Sequence, residues 1–399
     1  MILLNALPDY RQPLDPVDAE VLGVAGAEAA ERVTRVRPGY GATPLVSLPA
    51  MARELGVAAI HVKDEGPRFG LGSFKALGGG YAVIRLLLEE AERRLGRLVD
   101  LTALHAADVR GIASTLTFAC ATDGNHGRSV AQGAQSLGAQ SVIFIHSGVS
   151  AEREAAIARF GARMVRVGGT YDDSVAEAAR VAAREDWILV SDTACAGYER
   201  IPGLVMQGYT VLLREALRQL PELPTHVFIQ AGVGGIAAAL AGHLALVHGD
   251  KRPTFVVVEP ARAACIFGSA KAGRLTKVDV GEPTVMAMLD CYEPSLTAWR
   301  VLTRAADAFM TLEEDEAIAI MNRLARPHGG DPAIVAGESG GVGLGGLIKA
   351  AGDAHMRRAL GLEASSRALV VNTEGATDPG RYRELVGLSP ADVAASEQA

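Results

Sequence analysis

Short apolar runs alternate with longer amphipathic segments along most of this chain of 399 residues. The apolar runs are four to seven residues long, and the segments between them carry apolar residues at helical spacing. Apolar runs of this length between helices are typical of strands in a parallel sheet that is buried on both faces. The pattern therefore predicts the α/β fold class, with parallel-rich open sheets flanked by helices.

The predicted elements follow directly from this alternation. Strands are predicted at residues 59–63, 117–121, 141–145, 162–167, 188–191, 225–231, 254–259 and 368–372. Helices are predicted at residues 18–35, 73–95, 127–137, 151–160, 174–185, 205–219 and 236–247. Residues 1–40 are expected to form a proline-containing lead-in around the first helix.

Composition and charge exclude several classes of function. The net charge is −7 and no Lys/Arg-rich run is present, so nucleic acid is not an expected partner. No apolar stretch approaches the ~20 residues that span a bilayer. The four cysteines lack C-x-x-C spacing, which argues against a zinc site or a disulfide framework and favours a reducing, cytoplasmic compartment. No cluster has metal-ligand spacing, so no metal is predicted.

Loops rich in Gly, Asn, Asp or Thr follow four of the predicted strands. In open parallel sheets, ligands bind beyond the carboxyl ends of the strands. The loops lie at residues 122–127, 192–193, 232–235 and 373–375. We therefore expect these four loops to form one site.

Gly232, Val233, Gly234 and Gly235 connect a predicted strand to an alanine-rich helix. Glycines allow successive backbone N–H groups to face a ligand, and a helix N-terminus attracts anions, so this loop is suited to a phosphate group. The full G-x-G-x-x-G spacing of a dinucleotide site is missing. A tight turn without any ligand explains the loop equally well.

Lys75 lies among small and apolar residues, 70–80, at the start of a predicted helix. A lysine that is desolvated by such neighbours has a lowered pKa and can form a Schiff base or carry a proton. The alternative is a lysine whose amine extends to solvent near a helix end.

The loop at residues 122–127 brings three further candidates. Asp123 and Asn125 have the residue types of helix caps, which is their common role at such a position. His126 is either a buried, hydrogen-bonded residue or part of a site. A second glycine-dense loop, 337–346, either forms part of the wall of a ligand site or serves close packing of a helix on the sheet, and packing is the favoured interpretation.

Taken together, these segments resemble the fold-type II pyridoxal-phosphate enzymes, the tryptophan synthase β-like family. The matching motifs, in family order, are TPL at 43–45, VKDE at 62–65, SFK at 73–75, DGNH at 123–126, GVG at 232–234 and TEG at 373–375. Within the family, the segments most similar to diaminopropionate ammonia-lyases are 68–79, 121–128, 192–193, 197–202, 206–209 and 337–340. The resemblance covers nearly the whole chain.

The resemblance implies a cofactor, pyridoxal 5′-phosphate, and a role for each candidate residue. Lys75 would hold the cofactor as a Schiff base, and Asn125 would contact its 3′-oxygen. The amides of residues 232–235 would hold its phosphate, and Thr373 or Thr377 would face its ring nitrogen. The catalytic candidates are Lys75, Asp123 and Asp192, with Lys75 and Asp123 as bases for opposite substrate enantiomers.

The implied activity is α,β-elimination of 2,3-diaminopropionate, or of a close β-substituted amino acid, to a 2-oxo acid and ammonia. A serine/threonine dehydratase, a β-replacing enzyme and a non-catalytic protein of the same fold are the alternatives. The resemblance further implies a homodimer and two domains, a large one of residues 1–89 plus 215–399 and a small, mobile one of residues 90–214.

Three segments depart from the ammonia-lyase pattern in loops expected to face substrate. Ala194-Cys195-Ala196 follows Asp192-Thr193 where Trp-Glu is usual. Asp290 and Tyr292 stand where small residues are usual, and Gly235 stands where serine is common. These departures bear on the substrate and leave the implied cofactor unaffected.

Overall fold

A computed structural model describes residues 1–122 and 124–396, which form two sheets flanked by helices. Within these residues the larger sheet has seven strands. From one edge to the other they are β1 (Ile2–Leu4), β10 (Ala308–Leu312), β9 (Thr254–Pro260), β8 (His226–Gln230), β11 (Arg367–Asn372), β3 (Ala59–Asp64) and β2 (Leu45–Ser47). The inner five strands are parallel, and the two edge strands are antiparallel to their neighbours.

The smaller sheet of the described chain has four strands, all parallel. In spatial order they are β6 (Arg163–Val167), β5 (Gln140–His146), β4 (Thr117–Ala121) and β7 (Ile188–Leu189). The parallel-rich α/β fold class predicted from the apolar runs is therefore confirmed.

Helices cover both sheets. The first nine are α1 (Pro16–Leu22), α2 (Val24–Arg35), α3 (Pro49–Leu55), α4 (Lys75–Leu95), α5 (Ala107–Ala113), α6 (Asn125–Leu137), α7 (Ala151–Ala158), α8 (Tyr171–Glu185) and α9 (Arg200–Gln219). The others are α10 (Gly235–His248), α11 (Cys265–Ala272), α12 (Leu296–Ala305), α13 (Glu314–Ala325), α14 (Val342–Gly352), α15 (Ala354–Leu360), α16 (Pro379–Val386) and α17 (Pro390–Ser396).

The pairing of strands brings predicted site loops to one edge of the larger sheet. β8, β11 and β3 are adjacent and parallel, with Ala368 opposite His226 and Val371 opposite Lys63. The loop after β8 (232–235) and the segment after β11 (373–375) therefore leave the sheet side by side. This is the edge at which ligands bind in open α/β sheets.

Glycines let α4 and α9 approach at backbone distance next to this edge. A β-carbon at Gly78 would lie 2.5 Å from the ring of Tyr209 and 2.7 Å from the Val205 carbonyl oxygen. A β-carbon at Gly208 would lie 2.8 Å from the Gly78 α-carbon. Close helix contact of this kind leaves no room for larger residues and fixes the helix that begins at Lys75.

The glycine-dense loop at residues 337–346 packs on the larger sheet, as expected. A β-carbon at Gly343 would lie 2.6 Å from the Phe228 carbonyl oxygen. A β-carbon at Gly346 would lie 2.6 Å from the side chain of Val258. Only glycine permits α14 to lie this close to β8 and β9.

The prediction of one helix over 18–35 is wrong. Two helices, α1 and α2, meet at Gly23, whose backbone is extended (φ −67°, ψ 176°) and cannot continue a helix. The first helix also begins earlier, because the Asp15 side chain accepts a hydrogen bond from the Val17 amide and caps it.

Three strands were not predicted: β1, β2 and β10. β1 and β2 are three-residue edge strands whose pairing is antiparallel, so neither has the long apolar run of an inner strand. β10 is fully buried and lies between β1 and β9. No helix in the described part of the chain has both the length and the apolar character needed to cross a bilayer.

Candidate active site

Lys75 is the first residue of α4, and its amine forms an ion pair with the Asp192 carboxylate. Asp192 follows β7 and comes from the smaller sheet, so the pair joins loops of both sheets. The Lys75 side chain is 23% exposed and that of Asp192 is 12% exposed. Both side chains are therefore mostly buried but remain partly accessible to solvent.

The pKa of Lys75 is shifted opposite to the sequence prediction. Burial by itself would lower the pKa of this amine, but the neighbouring Asp192 carboxylate raises it above its ordinary value. Reciprocally, burial would raise the pKa of Asp192, while Lys75 and His126 lower it. The sequence prediction considered only apolar neighbours, and the partner lies 117 residues away along the chain.

His126 is buried beside this ion pair. Its Nε2 lies 2.7 Å from the Val190 carbonyl oxygen, and its Nδ1 lies 4.0 Å from Asp192 Oδ2. Because a carbonyl only accepts, Nε2 carries the hydrogen of the neutral ring and Nδ1 is an acceptor. Burial lowers the pKa of His126, and Asp192 only partly offsets this effect, so the neutral form of the ring is favoured.

Tyr209, on α9, completes the wall next to Lys75. Its hydroxyl is buried and has no hydrogen-bond partner among the described residues, and burial raises its pKa. A β-carbon at Gly235 would lie 3.8 Å from both the Tyr209 ring and the Asp192 carbonyl oxygen. The glycine loop, the Asp192 loop and the start of α4 therefore meet around one cleft.

The loop of residues 232–235 has the features of an anion cradle. Gly234 has φ +99°, a conformation that favours glycine, and it precedes the first turn of α10. Within the described chain, no group accepts a hydrogen bond from the amides of residues 232–235. The Val233 carbonyl accepts from the Ser295 amide at 2.9 Å, which fixes the loop while its amides remain available for an anion such as phosphate.

Asn125 begins α6 but does not cap it. The cap is Gly124, and the Thr122 hydroxyl accepts hydrogen bonds from the amides of Gly124 and Gly127. The freed Asn125 side chain donates from Nδ2 to Glu374 Oε2 at 2.6 Å. The helix-cap interpretation of Asn125 is therefore wrong, because Thr122 performs that function.

Thr373 and Thr377 lie on either side of Glu374. The Thr373 hydroxyl is buried, accepts a hydrogen bond from Gln230 Nε2 at 2.8 Å and lies 3.5 Å from the Ser339 carbonyl. The Thr377 hydroxyl donates to Glu374 Oε2 at 3.4 Å. Both threonines therefore belong to the segment that follows β11, close to Asn125.

One predicted catalytic residue, Asp123, lies outside the described residues. The sequence prediction assigned no role to Tyr209, which lies by Lys75 and Asp192, or to Glu374 and Glu338, which lie near each other. Tyr209 and Glu338 lie in two of the segments that resemble the family, 206–209 and 337–340. The resemblance therefore indicated these segments but assigned no role to either residue. Glu374 carried no signal beyond its place in the TEG motif.

The residues present fit pyridoxal phosphate. An amine that is covalently reactive when deprotonated, four available amides at a helix N-terminus and an amide side chain with an unpaired oxygen converge on one cleft. The described residues contain no group of three or more His, Cys, Asp or Glu side chains arranged to hold a metal ion.

Comparison with known proteins agrees with this geometry. The pyridoxal-phosphate dependent enzyme family matches residues 36–374. A diaminopropionate ammonia-lyase of Escherichia coli K12 is 41% identical over 357 residues, covering 87% of this chain and 88% of the relative. The crystal structure of the holo enzyme from Escherichia coli superposes with a TM-score of 0.87 at 36% identity, covering 97% of this chain and 96% of that one.

A second structure of that Escherichia coli enzyme, in complex with an aminoacrylate-PLP azomethine reaction intermediate, superposes with a TM-score of 0.84 at 36% identity. It covers 97% of this chain and 96% of the other. The family match spans most of the chain, and the identity to the curated relative extends over nearly all of both proteins. The chain therefore belongs to the pyridoxal-phosphate dependent enzymes of fold type II.

Proposed function

We propose that this protein is an ammonia-lyase that catalyses α,β-elimination of 2,3-diaminopropionate, giving pyruvate and two molecules of ammonia. The observation that carries the proposal is the Lys75–Asp192 ion pair next to the loop of residues 232–235, whose amides are available for an anion. The 41% identity to an Escherichia coli diaminopropionate ammonia-lyase supports this choice of substrate.

In this proposal the chain's own residues divide into those that hold the cofactor and those that move protons. Lys75 binds the cofactor covalently, the amides of Gly232, Val233, Gly234 and Gly235 hold its phosphate, and Asn125 contacts its 3′-oxygen. Thr373 or Thr377 faces its ring nitrogen. When bound, the cofactor supplies an electron sink for the carbanion that forms at the substrate α-carbon.

Proton transfer is assigned to the groups around the Lys75 amine. Lys75 and Asp123 act as bases for substrates of opposite chirality. Asp192 keeps the Lys75 amine oriented by its ion pair and lines the pocket where a β-ammonium group would lie. His126, whose Nδ1 lies 4.0 Å from Asp192 Oδ2, borders this pair as a neutral ring.

We also propose two domains with the boundaries 1–89 plus 215–399 and 90–214. The four strands of the smaller sheet lie between residues 117 and 189, inside the second unit. The small domain is then free to move toward the larger one when substrate binds. The protein is further proposed to act in the cytoplasm, in agreement with four free cysteines in the described chain, and as a homodimer. Sedimentation analysis of the purified protein tests the dimer.

The test of function is a panel of amino acids assayed for 2-oxo acid and ammonia. Purified protein with added cofactor is given D- and L-diaminopropionate, serine, threonine and a β-acetylated serine. We expect kcat/KM for diaminopropionate to exceed that for the other compounds at least tenfold. A preference for serine or threonine would identify a dehydratase, and absence of turnover with a bound chromophore would identify a non-catalytic protein.

Lys75→Ala provides the matching negative control. This variant is expected to remain folded, to lose the visible absorbance of the covalently bound cofactor and to have no measurable turnover. The comparison variant is Lys271→Ala, which removes an exposed lysine on α11 and should behave as the natural protein does. Normal turnover by Lys75→Ala would disprove the assignment.

A further inference from the structure

The carboxamide of Asn125 is held by only one of its two polar atoms. Nδ2 donates to Glu374 Oε2 at 2.6 Å, while Asn125 Oδ1 is buried without a partner in the described structure. Glu374 Oε1 is likewise buried without a partner there. Unpaired buried polar atoms are costly, so their presence on both sides of one short hydrogen bond indicates a function.

The backbone fixes Glu374 beside the segment that carries Lys75. Ser73 and Glu374 form an isolated antiparallel bridge, and the Phe74 amide donates to the Thr373 carbonyl at 3.0 Å. The Gly337 amide donates to the Glu374 carbonyl at 3.0 Å. Glu374 is therefore positioned by main-chain contacts, and its side chain can act as a rigid support.

Charged groups from three other elements face the Glu374 carboxyl. Glu338 is buried next to it, Arg153 on α7 reaches Glu338 at 3.3 Å, and Arg128 on α6 is nearby. Burial and the neighbouring Glu338 raise the pKa of Glu374, while Asn125 and the two arginines act in the opposite direction. The net effect of these surroundings is a raised pKa for the Glu374 carboxyl.

We infer that Glu374 is a positioning residue, which holds the Asn125 carboxamide so that its free oxygen and second N–H face the bound cofactor. The terminal torsion of an asparagine side chain has a broad energy profile, so one fixed hydrogen bond determines the plane of the amide. This inference rests on the proposed contact between Asn125 and the ring oxygen of the cofactor.

The test is a double-mutant cycle on cofactor binding. Glu374→Ala and Asn125→Ala are made singly and together, with the cofactor dissociation constant measured by equilibrium dialysis and the visible spectrum recorded. We expect each single variant to bind about tenfold more weakly, the scale of one hydrogen bond to a polar partner. The double variant should bind the cofactor less than about twofold more weakly than Asn125→Ala alone. Once Asn125 is absent, Glu374 has no side chain left to position, because the two residues act through one contact.

The conservative variant Glu374→Gln separates positioning from charge. Its amide oxygen can still accept the hydrogen bond from Asn125, so cofactor affinity should return to within about threefold of the natural protein, with a shifted spectrum. Additive losses in the double variant, or an unchanged spectrum and affinity in Glu374→Ala, would overturn the inference. Glu31→Gln, a change in a buried carboxyl that pairs with Arg214 and Arg218, is the control for lost buried charge.

Failure of this inference can be told apart from failure of the proposed function. If Lys75→Ala abolishes the visible spectrum while Glu374→Ala does not affect it, the cofactor assignment stands and the positioning role fails. If neither variant changes the spectrum, the cofactor is not bound at this cleft and both proposals fail.

Discussion

Two buried polar clusters, each built around an ion pair of a lysine, differ in how completely their atoms are paired. The first contains Lys63, Glu65, Arg68 and Glu215, and their side chains are at most 1% exposed. The second contains Lys75 and Asp192 with the neighbouring His126, Asn125, Tyr209 and Glu374.

Every charged atom of the first cluster has a partner. Arg68 donates to both oxygens of Glu65 and of Glu215, and Lys63 Nζ lies 2.9 Å from Glu215 Oε2. Lys63 also donates to the Thr43 carbonyl at 2.7 Å. A buried ion network of this kind is stable only when each member is satisfied, which is the condition for a structural role.

The second cluster leaves polar atoms unpaired within the described structure. They are Asn125 Oδ1, His126 Nδ1, Tyr209 Oη and Glu374 Oε1. Four unpaired buried polar atoms lower the stability of the protein alone, because each has lost its hydrogen bonds to water. A polar ligand that binds beside them can supply the missing hydrogen bonds. The clusters therefore differ in pairing: the first is satisfied by its own members and neighbours, and the second leaves polar atoms that a bound ligand could satisfy.

Removal of one member of the first cluster should have the largest effect on stability. Glu215→Ala leaves Arg68 and Lys63 buried with Glu65 as their remaining carboxylate. We expect the free energy of unfolding to fall by about 3–5 kcal/mol, measured by urea denaturation, because an unpaired buried charge remains. Glu222→Ala, which removes a carboxylate that is 66% exposed, should change stability by less than about 0.5 kcal/mol.

If Glu215→Ala lowered the free energy of unfolding by less than about 1 kcal/mol, complete pairing in the first cluster would not stabilise the fold. The two clusters would then not differ in their structural role. A loss of activity that exceeds the loss of folded protein would also contradict a purely structural role for Glu215.

Removal of charge from the second cluster should instead affect turnover. Asp192→Asn keeps the shape of the side chain but removes the partner of the Lys75 amine. We expect kcat/KM to fall about 10²–10³-fold, the range typical of groups that orient or transfer a proton, while the free energy of unfolding changes by less than about 1 kcal/mol. Assays at saturating cofactor, together with urea denaturation, measure both quantities.

The matched variant is Asp186→Asn, an exposed residue in a left-handed conformation that asparagine also adopts readily. In this variant kcat/KM should stay within about twofold of the natural value, and the free energy of unfolding should change by less than about 0.5 kcal/mol. If Asp192→Asn unfolded the protein without a specific effect on turnover, Asp192 would belong with the structural network.

A smaller effect is expected from narrowing the anion cradle. In Gly232→Ala the new methyl group would lie 2.9 Å from Cys291 Sγ and 3.4 Å from the Leu289 α-carbon, so the loop must shift. We expect cofactor affinity to fall about tenfold, equivalent to about 1.4 kcal/mol. Gly235→Ala meets only ordinary contacts at 3.8 Å or more and should bind the cofactor normally. If both variants lost cofactor affinity equally, the conformational freedom of the glycine backbone would determine the affinity, and the space available for a methyl group would not.

Both clusters also show how far the sequence alone could lead. The apolar runs predicted the parallel strands, since an inner strand such as β4 is an unbroken apolar run with its polar loop beyond it. Lys75 and the loop 232–235 each had a purely structural explanation when taken alone, and only their occurrence together with the other family motifs predicted them as site residues. Local pattern carries this information.

The pairing of distant residues could not be predicted. Lys75 meets Asp192 117 residues away, and Asn125 meets Glu374 249 residues away. The sign of the Lys75 pKa shift depends on the first of these contacts, and the role of Asn125 depends on the second. Which polar atoms stay unpaired is a property of the packed structure, and no local pattern records it.

The smallest effect concerns histidines, which occur both at the candidate site and far from it. His126 and His243 each bond a carbonyl oxygen at 2.7 Å, those of Val190 and Leu22, and burial lowers the pKa of both. The folded state therefore binds fewer protons than the unfolded state once the pH falls below the ordinary histidine value of about 6.5. Stability is retained above that pH and declines as the pH falls toward 5.

His243→Asn should reduce this decline, because the asparagine amide can donate to the Leu22 carbonyl without titrating. We expect the slope of unfolding free energy against pH, between pH 5 and 6.5, to decrease by up to one proton, or about 1.4 kcal/mol per pH unit. Above pH 8 the difference between variant and natural protein should be constant. If the slope were unchanged, His243 would gain its proton in the folded protein. Burial and a hydrogen bond to a carbonyl oxygen would then not be enough to make a histidine contribute to the pH dependence of stability.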